Sequence, residues 1–210
     1  GMPRETDELG DFGMAFMKTS TSLSIVVLAT ALVTGHVSAD TVQDQAAFDT
    51  KSYGWDSVAG LGNQQIADDF RLKHSGKISN LRWTGKYHDS SIPGETKFEV
   101  LIFADRNGTP GKLLHSENVS VTGWDTKVSD SGSHRMLSYN AELLSSPALK
   151  AGHVYWLTIC ESDPETQVRW SWSFHKSDIS GGYSYRLGNS SRWALGKKDM
   201  AYALSVSRSQ

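Results

Sequence analysis

Beyond residue 66 the apolar and polar positions alternate with a period of two, the spacing of strands, and almost nowhere with the period of a helix. Residues 154–160 (VYWLTIC) are apolar on both faces, with Val154, Trp156, Thr158 and Cys160 opposing Tyr155, Leu157 and Ile159. A strand of that kind is covered on both sides and predicts the middle of a layered structure. Residues 168–174 alternate strictly, Val168, Trp170, Trp172 and Phe174 against Arg169, Ser171 and Ser173. With the polar Asp163-Pro164 stretch between them, the two runs predict a central, Trp-rich antiparallel hairpin. Residues 77–87 place Leu81, Trp83 and Tyr87 on one side, with Asn80, Arg82 and Thr84 on the other. Residues 96–104 are again apolar on both faces, and residues 135–144 carry Leu137, Tyr139, Ala141 and Leu143 together. Shorter or more polar strands are predicted at 69–72, 113–121, 183–186 and 200–206. The turn DRNGTPG (105–111) is dense in turn formers, whereas 123–133 and 187–198 read as polar loops holding Trp124 and Trp193.

About eight or nine strands without a helix bury their apolar faces only by packing sheet on sheet. The expected fold is all-β: a two-sheet antiparallel β-sandwich, of jelly-roll rather than immunoglobulin type, since the Cys–Trp–Cys arrangement is missing. Ahead of it, Gly1 before Met2 reads as a cloning remnant, and residues 1–16 as that remnant plus an upstream extension. Residues 17–39 read as a signal peptide: Lys18, the apolar run 23–33, and Val37-Ser38-Ala39 before a mature start at Asp40. The run is short for a membrane span, so no stable membrane anchor is expected after its removal. Residues 40–65 form a lead-in with room for a short edge strand, and 66–210 the sandwich.

At 210 residues the chain suffices for one domain with a sizeable core. A net charge near −2 argues against a nucleic-acid partner, which calls for a basic face. A single cysteine, Cys160, excludes an internal disulfide; its strand predicts a buried, inert thiol. Seven tryptophans are many for this length, and they are the main functional hint.

The stretches QQIADDF (64–70), IFADRNGTPGKLLH (102–115), LKAGHVYWLTI (149–159) and DMAYALSV (199–206) resemble a group of exported bacterial β-sandwich domains of unassigned activity, often found in proteins with a PEP-type sorting tail. The resemblance implies a secreted, non-catalytic jelly roll similar to carbohydrate-binding modules. The chain departs from that group in ending at Ser207-Arg208-Ser209-Gln210, so surface anchoring through such a tail is not expected.

No G-x-S-x-G, P-loop or G-x-G-x-x-G is present, and the seven histidines show no H-x-H or H-E-x-x-H spacing. Asp68 and Asp69 would point to opposite faces of their strand, so they do not form an acid–base pair by themselves. Were the first and last strands neighbours, Asp69 and Asp199 could hold a structural calcium. Trp83, Trp156 and Tyr202 read as core, and Trp170 and Trp172 as either a core stripe or an exposed platform. Trp55, Trp124 and Trp193 lie in polar segments, where they either cap the sandwich or meet a ligand. The expected ligand face comprises Trp193, Arg192, Tyr185, Tyr183, Asn189 and Trp172, with aromatic rings stacking on a sugar and polar groups reaching its hydroxyls. The expectation is therefore a non-enzymatic, secreted, extracellular or periplasmic domain binding a glycan. A surface-associated domain contacting protein is the alternative, and a secreted hydrolase the third.

Overall fold

In the computed structural model the described residues are 40–45, 54–58, 64–89, 94–129, 134–162, 169–175, 182–188 and 192–208. The chain divides into Gly1–Gly35 and His36–Gln210, and every described residue belongs to the second unit. The signal-peptide segment therefore lies outside the described residues. The strands are β1 (Asp40–Gln45), β2 (Gly54–Asp56), β3 (Gln64–Arg71), β4 (Gly76–Tyr87), β5 (Thr96–Asp105), β6 (Pro110–Val121) and β7 (Trp124–Ser129), then β8 (Arg135–Glu142), β9 (Ala148–Leu149), β10 (Val154–Glu161), β11 (Trp170–Ser173), β12 (Ser184–Leu187), β13 (Ala194–Leu195) and β14 (Tyr202–Arg208).

β4 is the spine of the larger sheet. One of its edges carries β14 along Gly76–Trp83 and then β11 along Gly85–Tyr87; the other carries β9 and β8. β1 extends this sheet beyond β14, β2 beyond β11, and β7 beyond β8. The second sheet runs β13-β12-β3-β10-β5-β6, and every pairing in both is antiparallel. The chain crosses between sheets from β2 to β3, β3 to β4, β4 to β5, β6 to β7, β9 to β10, β10 to β11, β11 to β12 and β13 to β14. This is the expected all-β two-sheet sandwich, traced in jelly-roll manner.

Phe98, pointing inward from β5, shows why the sheets hold together. Its ring lies 5.1 Å from Trp83, 4.9 Å from Tyr139 and 5.0 Å from Trp170, all at steep angles, so one sheet's ring inserts among three of the other's. Such edge-to-face contacts add to the area they bury. The Tyr87 and Thr96 hydroxyls meet at 3.1 Å across the same gap. At the β5–β6 turn, Asn107 and Gly108 both have positive φ (56° and 76°), which Asn and Gly tolerate best. Asp105 accepts the Gly108 N–H there.

The predicted hairpin does not form. β10 lies between β3 and β5, whereas β11 lies between β4 and β2 in the opposite sheet. The apolar faces were read correctly: Tyr155, Leu157 and Ile159 enter the core from one side, and Trp170 and Trp172 from the other. Alternation reveals which face is covered; it does not reveal in which sheet a strand lies. The stretch read as a polar loop at 123–133 contains β7, and 187–198 contains β13.

Cys160 is enclosed, with the Ser57 hydroxyl 3.6 Å from its sulfur, and burial pushes its thiol pKa up to about 12. A thiolate is the reactive form. Native protein is therefore expected to resist a thiol reagent that labels the urea-unfolded chain at once; rapid native labelling would contradict the burial.

Candidate functional site

The two sheets part along one edge, where β2 borders the larger sheet and β12–β13 the smaller. Trp55 faces the interior because it stands opposite Trp172, and Tyr185 does so because it stands opposite Ile66. At a sheet border such inward rings are only half covered. Trp55 remains 47% exposed and Tyr185 38%. Their rings are parallel to within 1°, with centroids 6.3 Å apart. Tyr183, deeper in the gap and buried, lies 6.3 Å from Trp55, 6.0 Å from Tyr185 and 5.9 Å from Phe174. Exposed Leu187 continues the strip along β12.

The strip is held from behind. Ser57 donates its N–H to Trp170 in one sheet and accepts the Glu161 N–H from the other, while Val58 donates to Gln64. The segment after Trp55 thus ties both sheets and fixes where the indole emerges. Tyr183 is clamped by Gly196, whose N–H donates to the Tyr183 carbonyl at 2.7 Å; a Cβ at that glycine would lie 2.2 Å from the tyrosine ring. Rings fixed in this way lose little freedom when a ligand arrives.

The residues expected to form the ligand face are brought together only in part. Tyr183 and Tyr185 meet. Trp172 is fully enclosed in the core, out of reach of any surface ligand, because its face of β11 points between the sheets. Arg192 is exposed, and Asn189 lies outside the described residues. Trp193 is on the far side of β12: it packs edge-on against Phe103 at 5.9 Å, with the Arg186 guanidinium 4.5 Å above its ring. There it joins an outward cluster with Ala67, Leu101 and Trp156. Strand alternation sends Tyr185 and Arg186 to opposite faces, which separates the two groups. Trp55, which sequence reasoning left outside the face, is the ring that completes it. Its only signal was a large aromatic in a Gly-rich, otherwise polar segment.

The acidic residues also differ from the expectation. β3 and β14 lie in different sheets. The carboxylate that reaches the segment leading into the last strand is Asp68, on the inner face, which accepts the Met200 N–H at 2.9 Å, while Asp199 accepts the Gly182 N–H at 3.0 Å. Both are buried. Desolvation, and then the Asp199 charge, push the Asp68 carboxyl well above the usual range, with the Met200 amide opposing them. Asp69, half-buried, is raised mainly by desolvation too. Among the described residues no group of three or more His, Cys, Asp or Glu is placed to hold a metal.

A carboxyl that holds its proton more tightly folded than unfolded stabilises the fold below its unfolded pKa, near 4. That contribution is lost as pH rises through the folded value. Without added metal, the Asp68 contribution to stability is expected to fall with rising pH over this window, so Asp68→Asn should lose less stability than wild type as pH rises and melt higher at neutral pH. A calcium ion between the two carboxylates would reverse that outcome. Calcium would then raise the wild-type melting temperature over chelator, and Asp68→Asn would abolish the gain.

One polar cluster lies on the outer face of the larger sheet. His88 Nε2 is 2.7 Å from Ser171 Oγ and 2.8 Å from Asp56 Oδ1, and Ser171 donates to the same carboxylate oxygen. A serine relay uses one ring nitrogen for the hydroxyl and the other for the carboxylate. Here a single nitrogen meets both, and Ser171 is buried, so this arrangement does not activate a nucleophile.

A family model described as "Domain of unknown function (DUF7901)" matches residues 43–204. No curated protein matches the chain. Among solved structures, a CocE/NonD family hydrolase from Staphylococcus aureus is similar with 13% identity and a TM-score of 0.37, over 82% of this chain and 37% of that one. The chain thus spans little more than a third of that protein's length.

Proposed function

The chain belongs to the DUF7901 family, whose description gives no activity, and we propose that it is a non-catalytic glycan-binding domain working outside the cytoplasm, similar in kind to carbohydrate-binding modules. The observation that carries this reading is the exposed, parallel Trp55–Tyr185 pair at the open edge of the sandwich. Flat rings suit the apolar face of a sugar, and this pair is pre-set by the sandwich edge. The leader-like segment 17–39 supports export, and the net charge of −2 speaks against nucleic acid.

A glycan array probed with residues 40–210, beside the same chain carrying Trp55→Ala, tests the reading. Wild-type signal on a coherent set of glycans, lost in the variant, is the expected result. A blank array, or signal indifferent to Trp55, would overturn it.

A further inference from the structure

On the outer face of the larger sheet, away from the Trp55–Tyr185 edge, β8, β4 and β14 lay out a small lattice. Arg82 stands between Asn140 and Ala203, and Asn80 between Glu142 and Ser205. Ala203 carries only a methyl group beside the long Arg82 side chain, and there the sheet has a cleft of about 110 Å³, lined by Asn80, Arg82, Asn140, Ala203 and Ser205. That is room for three or four waters, or for the carboxylate end of a sugar.

A ring stands at its side. Trp124 begins β7 opposite Ser138, diagonal to Asn140. It points outward, since the preceding Gly123 is the inward position, where a Cβ would lie 2.6 Å from the Tyr139 ring in the core. Trp124 is 48% exposed. Ser138 and Thr84 are the small side chains between it and the cleft. From β7 to β14 is three strand spacings, about 14 Å, enough for more than one sugar unit.

We propose that this face is a second saccharide site, selective for glycans that carry uronic acid. Arg82 supplies the planar, two-pronged donor that matches a carboxylate. The carboxamides of Asn80 and Asn140 both donate and accept, as ring hydroxyls require, Ser205 adds a hydroxyl, and Trp124 offers a face for the next sugar. The charge balance selects among anions. Exposed Glu142 stands directly across from Asn80, and its negative charge beside the cleft repels a phosphate dianion more than a monoanionic carboxylate. This inference is independent of the edge site and survives its failure.

The test is affinity electrophoresis of residues 40–210 in gels containing polygalacturonate or alginate, with highly methyl-esterified pectin as a control that keeps the backbone but masks the charge. Wild type is expected to be retarded by at least one polyuronate and not by the ester. Arg82→Gln and Asn140→Ala should each weaken that retardation tenfold or more, Trp124→Ala should weaken it as well, and Trp55→Ala should leave it unchanged. Melting curves of the variants confirm folding, and Asn140→Ala, an exposed truncation, serves if Arg82→Gln melts low. No polyuronate binding, equal binding to the ester, or binding that survives both Arg82→Gln and Asn140→Ala would overturn the proposal. Loss with Trp55→Ala alone would assign the uronate to the edge instead.

Discussion

Trp170→Ala is expected to lower stability by about 3–5 kcal/mol, the cost of truncating a large enclosed aromatic. Trp170 is fully buried, its ring 5.0 Å from Phe98 and 6.2 Å from Tyr139, so it is one of the groups through which the two sheets grip each other. The space under it cannot readily refill from the backbone side. Gly85 sits so close that a Cβ there would be 2.2 Å from the indole, which means the strand already touches the ring. A domain of this size is stable by roughly 5–15 kcal/mol in total. At about 2–4 °C per kcal/mol, the melting temperature should fall by roughly 6–20 °C. Urea or thermal melts followed by circular dichroism would read the change. A loss under about 1 kcal/mol would mean that Trp170 is not part of the inter-sheet core.

The second large effect is on binding. Trp55→Ala and Tyr185→Ala should each remove about 1–3 kcal/mol of affinity for the glycan that the array selects, roughly 5- to 150-fold in Kd, as truncated aromatic anchors do. Stability should change much less than in Trp170→Ala, because both rings are already partly in water. The two variants are close enough to share a ligand and each other, so their effects are not expected to add.

The strands were largely legible because each side of a sandwich sheet meets a different environment, which writes alternation into residues such as Leu81, Trp83 and Tyr87. Sheet membership was not, since β10 and β11 show the same pattern from opposite layers. β7 escaped notice because an edge strand needs one partner and carries polar residues without cost. Asp68 was hidden by a sound rule with an exception: an acidic residue on an inner strand face is costly, so Asp69 was the natural choice for contact with the chain end. At the candidate site the sequence marked Tyr183 and Tyr185 but joined them to Trp193, which is near in sequence and faces the other way. Trp55 is some 130 residues from Tyr185 along the chain, and only the pairing of β2 with β11 and of β12 with β3 brings them to one edge.

The most direct test of the edge site is to titrate the array-selected oligosaccharide into 15N-labelled protein and follow the indole N–H resonances of the tryptophans. Trp55 is expected to shift progressively with a single Kd, while Trp83, Trp170 and Trp172, enclosed in the core, stay in place. A saturating ligand that leaves the Trp55 resonance unmoved would contradict the assignment of this edge as the glycan site.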